Sequence, residues 1–164
     1  MKPFPFTPEQ FFWIWLAGVA LLFGSAALVR KVQGLPFFRP RFRGVEVQQT
    51  WRSAASSVGL FGSLAVVKNY VWFTLTADTL YVGAHFPLNM FMPRAVGGLD
   101  LTIPVSDISS VSKTTTRLGD ERVRVEYQVT DTTRGITRTE HVVLWPRRGD
   151  RFFDVLRDKA RGTR

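Results

Sequence analysis

His85 and His141 are the chain's two histidines, the side chains whose ordinary pKa suits proton transfer near neutrality. Catalysis by either needs a second group held within hydrogen-bond reach. His85 closes an alternating stretch just before a Phe-Pro pair, and His141 follows Glu140 inside another such stretch. Neither stands at metal-ligand spacing from a second candidate. Ser106-Asp107 has the residue types of a hydrolase fragment, but a Ser-Asp pair before a returning strand is also an ordinary turn, its side chains bonding nearby backbone. With no cysteine, thiolate nucleophiles, disulfides and cysteine-ligated metals are excluded. Gly97-Gly98 marks a turn, and no glycine-rich phosphate loop is present. The carboxylates are interspersed with cations, as on a solvated surface. These residues point to binding rather than bond-making: no enzyme, no cofactor and no metal are expected.

The elements that position such a surface begin with an apolar run. Phe11 to Val29 is 19 residues without a charge. At about 1.5 Å per residue a helix there covers about 28 Å, close to the hydrocarbon thickness of a bilayer. Thr7 is placed as an N-cap, Pro8 as the first helical residue and Gln10 as the return partner of a capping box. Trp13 and Trp15 suit the headgroup boundary. The competing reading is an export signal cleaved near Ala27, which would release a soluble β-barrel that binds an apolar ligand. The flanking charge favours an anchor. Arg30, Lys31, Arg39, Arg41 and Arg43 follow the run with no acidic residue among them. Cationic flanks stay inside, so residues 1–10 are expected outside, 11–29 within the cell (inner) membrane, and the remainder in the cytoplasm.

The net charge of +9 is unevenly placed. Residues 1–43 carry +5, residues 44–146 are balanced at nine cations and nine anions, and residues 147–164 carry +4. A nucleic-acid-binding domain would carry its cations on the folded part. Cations beside an apolar run suit anionic phospholipid instead.

Residues 30–44 form a basic, aromatic juxtamembrane linker. Pro36 and Pro40 favour extended chain. Phe37, Phe38 and Phe42 alternate with Arg39, Arg41 and Arg43, so Arg30, Lys31 and these six residues form a candidate membrane-surface group. The alternative is that the rings pack onto the following domain.

Residues 45–164 are one domain, in which the period is two up to the C-terminal helix. Alternation in 60–67, 70–76, 79–84, 99–105, 108–116, 122–130 and 136–145 predicts seven short antiparallel strands in a barrel or sandwich. Thr76–Asp78 and Asp131–Gly135 are turns. Asp150 is placed to cap an amphipathic C-terminal helix whose apolar side holds Phe152, Phe153, Leu156 and Ala160, and which closes an end of the barrel. Residues 85–98 are unusually apolar for a connection. Phe86, Leu88, Met90, Phe91 and Met92 either fold back over the sheet or form a partner-contact loop, where methionine and phenylalanine are favoured.

Three stretches carry a resemblance. "NYVWFTLTADTLYV", "LTIPVSDISSV" and "GDRFFDVL" resemble the early hairpin, a later strand and the C-terminal helix start of pleckstrin-homology-like domains, in particular bacterial membrane-tethered, GRAM-type members. The resemblance covers residues 45–160. It implies a mainly β fold and a module that binds or scaffolds a protein partner, or an anionic lipid surface. Phosphoinositide-binding members keep several cations between their first strands. Here "AVVKNYVW" offers only Lys68, so no inositol-phosphate pocket is carried over.

Overall fold

The computed structural model describes residues 7–32, 34, 38–57, 66–91, 99–116, 119–131, 134–147 and 151–162. The chain divides into two compact units, residues 1–37 and 38–164.

The first unit is helix α1, Pro8–Val32. Its start is the reciprocal cap expected from sequence: the Thr7 N–H donates to Gln10 Oε1 at 3.0 Å, and the Gln10 N–H donates to Thr7 Oγ1 at 3.2 Å. Its 25 residues extend about 37 Å at ordinary helical rise. None of its apolar window is buried, and length and composition suffice to cross a membrane or to serve as a signal sequence. Arg30 and Lys31 lie in the last turn, where cations complement the helix dipole. The chain leaves through Gly34 at φ 66°, a left-handed position that glycine adopts without a Cβ penalty.

The second unit is one antiparallel sheet and two helices. The strands are β1 (Val47–Ser56), β2 (Val66–Leu75), β3 (Thr79–Ala84), β4 (Leu101–Pro104), β5 (Ile108–Thr115), β6 (Glu121–Asp131) and β7 (Ile136–Trp145). Their spatial order is β4-β3-β2-β1-β7-β6-β5. Hence β1 joins a four-strand run to a three-strand run. A four-residue helix α2, Leu88–Phe91, follows β3, and α3 spans Phe152–Gly162.

Two sequence expectations are corrected. The barrel is not closed: among the described residues β4 and β5 form the two edges and do not pair. The cause lies in their connection. Val105–Asp107 is a 3-10 turn, and the Val105 N–H donates to the Asp78 carbonyl at 2.7 Å. This ties the chain to the β2–β3 turn and directs β5 away from β4. The second correction is the first strand. It is β1 at 47–56, a stretch without clean alternation. Val66 and Val67 begin β2, and the rest of the 60–67 stretch lies outside the described residues.

The core lies between the curled sheet and α3. Val71, Phe73 and Leu75 of β2, Leu80 and Val82 of β3, Val123 and Val125 of β6, and Val142 and Leu144 of β7 are buried. Phe152 and Leu156 of α3 join them, the Phe152 ring 4.7 Å from that of Phe73. Lys159 fastens the far end of α3. Its Nζ lies 2.8 Å from a Glu46 carboxylate oxygen and donates to the Ala77 carbonyl at 3.0 Å.

Candidate functional site

In the second half of β2 both faces are buried, although strand geometry alternates inward and outward positions. The outer cover is the segment 38–44. Phe42 places its ring 4.3 Å from Tyr81 and 5.7 Å from Trp72. The Arg39 guanidinium lies 5.6 Å over the Trp72 ring and donates to Thr74 Oγ1 at 3.3 Å. Trp72 lies across Gly83, where a Cβ would overlap its ring, and its Nε1 donates to the Ala84 carbonyl at 3.3 Å. Burial pushes the Arg39 pKa down from its ordinary value. The linker's second half is therefore a strap on the outer face of β2 and β3. It carries Phe42 and Arg39 inward and leaves Arg41 and Arg43 exposed.

Beside the strap lies a cluster of exposed rings. The β1–β2 ladder is interrupted between Gln49 and Arg52. There Trp51 adopts φ 56° and, on β2, Asn69 adopts φ 60°. Left-handed backbone is a true outlier for a residue as bulky as tryptophan. The irregularity turns Trp51 outward, where its indole stacks on His85 at 4.3 Å with 13° between planes and meets Tyr70 edge-on at 5.9 Å. Phe38 and Phe86 continue the cluster, their rings 5.7 Å apart. Phe38 is 72%, Trp51 59%, Phe86 50% and Tyr70 44% exposed. Burial, and then the neighbouring Arg39 charge, hold His85 below the usual histidine pKa. Next to Trp51 is a cleft of about 810 Å³ whose walls include Val66, Arg52, Lys68 and Trp145. Asp120 and Glu121 also reach it, and Glu121 pairs with Lys113 at 3.0 Å.

Arg30 and Lys31 end α1. Phe38, Arg39, Arg41, Phe42 and Arg43 belong to the β-domain unit. Phe86 is exposed, whereas Leu88 is half-buried and packs against the core. Met90 and Phe91 lie in the backbone of α2. Phe37 and Met92 lie outside the described residues. In sequence, no spacing marks Trp51, Tyr70 and His85 as one site. The signal was a lone tryptophan among polar and small residues in "QQTWRSAAS".

The catalytic candidates separate. His141 is a β7 residue whose backbone N–H and carbonyl bond Ser57. Burial first, and Arg124 next, lower its pKa against an opposing effect of Glu126. The Ser106 hydroxyl donates to Asp107 at 3.0 Å, beside the open seam of the sheet. That cleft of about 660 Å³ has no histidine in its lining. Among the described residues no three His, Cys, Asp or Glu side chains are grouped to hold a metal ion. No protein-family model matches this chain, and no curated protein matches it in sequence.

Proposed function

We propose that this chain is a single-pass membrane protein whose cytoplasmic, pleckstrin-homology-like domain works by binding, holding a protein partner close to the inner face of the membrane. The observation that carries the reading is α1. It is 25 residues long with no part of its apolar window buried, while the β-domain fills its own core from its own strands and α3. A helix apolar all round is costly in water and suited to hydrocarbon. Orientation rests on the five cations after the run and the single Lys2 before it. The pleckstrin-homology-like assignment is supported by a four-strand and a three-strand run meeting at β1, with one C-terminal helix packed on the core.

The test joins topology and processing: a reporter fused after Arg164, and the mass of the purified chain's N-terminus. An intact N-terminus with a cytoplasmic reporter supports an anchored binding module. A chain that starts near Leu28 with an external reporter would establish the exported alternative and redirect the search to apolar ligands outside.

A further inference from the structure

We propose that the cleft between the β1–β2 ladder break and the β5–β6 turn is a binding site for a neutral sugar. Trp51 is the platform for a pyranose ring, and Arg52, Lys68, Asn69 and Asp120 are the partners of its hydroxyl groups. The inference goes beyond membrane tethering and partner capture and does not depend on them, because every residue of the site belongs to the β-domain unit.

Three observations carry it. The first is that the cleft is shaped at a cost. Among the described residues, Trp51 and Asn69 are the two non-glycine positions with left-handed backbone. They stand on adjacent strands at one break in the ladder, and both line the cleft. The Asn69 N–H donates to Ser53 Oγ at 3.3 Å, tying the strands together there. Backbone strain of this kind gathers at binding sites, where the surrounding structure enforces it. At about 810 Å³ the cleft has the size of a small-ligand site.

The second is one open aromatic face. Trp51 is 59% exposed, and His85 covers one side of its indole at 4.3 Å. The other side is left for a ligand. Trp145 also lines the cleft, but the Arg122 guanidinium lies over its ring at 5.3 Å, so it closes a wall and offers no second plate. A single open indole suits a pyranose, whose C–H groups turn positive polarity toward the negative ring face. A nucleobase is held by stacking between two walls.

The third is the set of polar groups around that face. Arg52 Nε is buried with no hydrogen-bond partner among the described residues. Lys68 and Asp120 form no ion pair among them, whereas Glu121 is engaged by Lys113 at 3.0 Å. Arg52 and Lys68 only donate, the Asp120 carboxylate only accepts, and the Asn69 amide does both. A sugar hydroxyl donates and accepts, so one neutral ligand satisfies all four. An anion would meet Asp120 and Glu121 on the same walls, and an apolar ligand would strip water from charges it cannot pair.

The chain has five tryptophans, at 13, 15, 51, 72 and 145. Labelling with fluorotryptophan gives each a fluorine resonance, assigned by single changes such as Trp51→Phe and Trp145→Phe. Full-length protein in phosphatidylcholine nanodiscs, which contain no sugar, is titrated with the methyl glycosides of glucose, mannose, galactose and N-acetylglucosamine. The Trp51 and Trp145 signals should move and saturate with a Kd of about 1 mM for the best glycoside, as befits so small a ligand. Those of Trp13, Trp15 and Trp72 should stay in place. Asp120→Ala should weaken binding about fivefold or more, read on Trp51. Trp51→Ala should weaken it about fivefold, read on Trp145. Asp158→Ala, on the exposed side of α3, should leave it unchanged. The best glycoside is then built into the nanodisc as its diacylglycerol lipid. Movement at a lower total concentration than the free glycoside needs assigns the site to lipid-borne sugar, and any other result assigns it to soluble sugar.

A Trp51 signal that no glycoside moves would overturn the proposal. So would one that inorganic phosphate or adenosine saturates at a lower concentration than any glycoside, since the cleft would then hold an anion or a base. Movement of all the tryptophan signals together would also overturn it, because a general solvent effect reaches every ring.

Discussion

Trp51 combines an unfavourable backbone with an exposed side chain, and that pairing separates a fold requirement from a surface requirement. A tryptophan kept for stability would be buried in relaxed geometry. At φ 56° the position suits glycine, which reaches positive φ without steric cost. Trp51→Gly relieves backbone strain while losing the stack on His85 and the edge contact with Tyr70. Thermal unfolding followed by circular dichroism should therefore place its stability within about 1 kcal/mol of the parent. A loss of several kcal/mol would mean that Trp51 is a structural residue. Gly83 is the opposite case. A methyl group there meets the Trp72 ring, which cannot swing away because Phe42, Arg39 and its bond to the Ala84 carbonyl hold it. Gly83→Ala should cost about 1–3 kcal/mol, as overpacking does, and lower the urea midpoint. His85 brings a pH dependence. Burial and Arg39 hold its pKa below 6.5 in the fold, so the unfolded chain binds the proton more readily. Its contribution is complete above the unfolded value and declines as pH falls through 6.5 toward the folded pKa. His141 acts in the same direction. Melting temperature should fall on acidification below that point, and His85→Phe, which keeps a ring against Trp51, should flatten the decline in part. An unchanged acid limb would show that His85 carries none of it.

At the scale of elements, α3 secures the sheet through two side chains. Phe152 and Leu156 are fully buried and Phe152 packs on Phe73. Phe152→Ala should destabilise by about 3–5 kcal/mol and Leu156→Ala by about 2–5. Asp158→Ala, on the exposed side of the same helix, should fall within about 0.5 kcal/mol of the parent. Equal losses at all three positions would mean that α3 is held by its surface and not by its core face. This helix was legible in sequence because Phe152, Leu156 and Ala160 recur at helical spacing and one residue set serves one core. The hairpins at 76–78 and 131–135 were legible for the same reason: strict alternation on both sides of a polar turn. β1 was not. Its ladder is broken at Trp51, so inward and outward positions fall out of phase, and Gln, Ser and Ala occupy places where β-branched residues would announce a strand. Barrel closure was not legible either, since it turns on where a three-residue connection is bonded. The exposed cluster draws on four segments far apart in sequence. Arg41, Arg43, Phe38 and Phe86 were readable as surface candidates one by one. Trp51 and Tyr70 joined them only once β1 and β2 were paired and bent, and Phe42 proved to face the sheet.

For the whole molecule the governing asymmetry is electrostatic. Residues 44–146 are balanced and the excess of cations in 147–164 lies far along the chain from α1, so orientation falls to the residues flanking α1. Those on the C-terminal side are not equivalent. Arg39 is engaged with Trp72 and Thr74, and removing it would disturb the strap. Arg41 and Arg43 are exposed, and Arg30 and Lys31 sit in the final helical turn. A variant with the exposed Lys31, Arg41 and Arg43 all changed to Gln, carrying three added lysines before Pro3, reverses the flanking bias while sparing Arg39 and the buried Arg30. With a reporter after Arg164, the parent should read cytoplasmic, and the variant should place a substantial fraction outside, because cationic flanks resist translocation. The same three Gln changes without the added lysines should give a mixed population. Should the reversed variant stay entirely cytoplasmic while the N-terminus remains intact, some feature other than flanking charge would set the orientation. Should both proteins be external and shortened near Leu28, the apolar run would be an export signal, and the exposed rings would face a compartment in which no tether holds them to a bilayer.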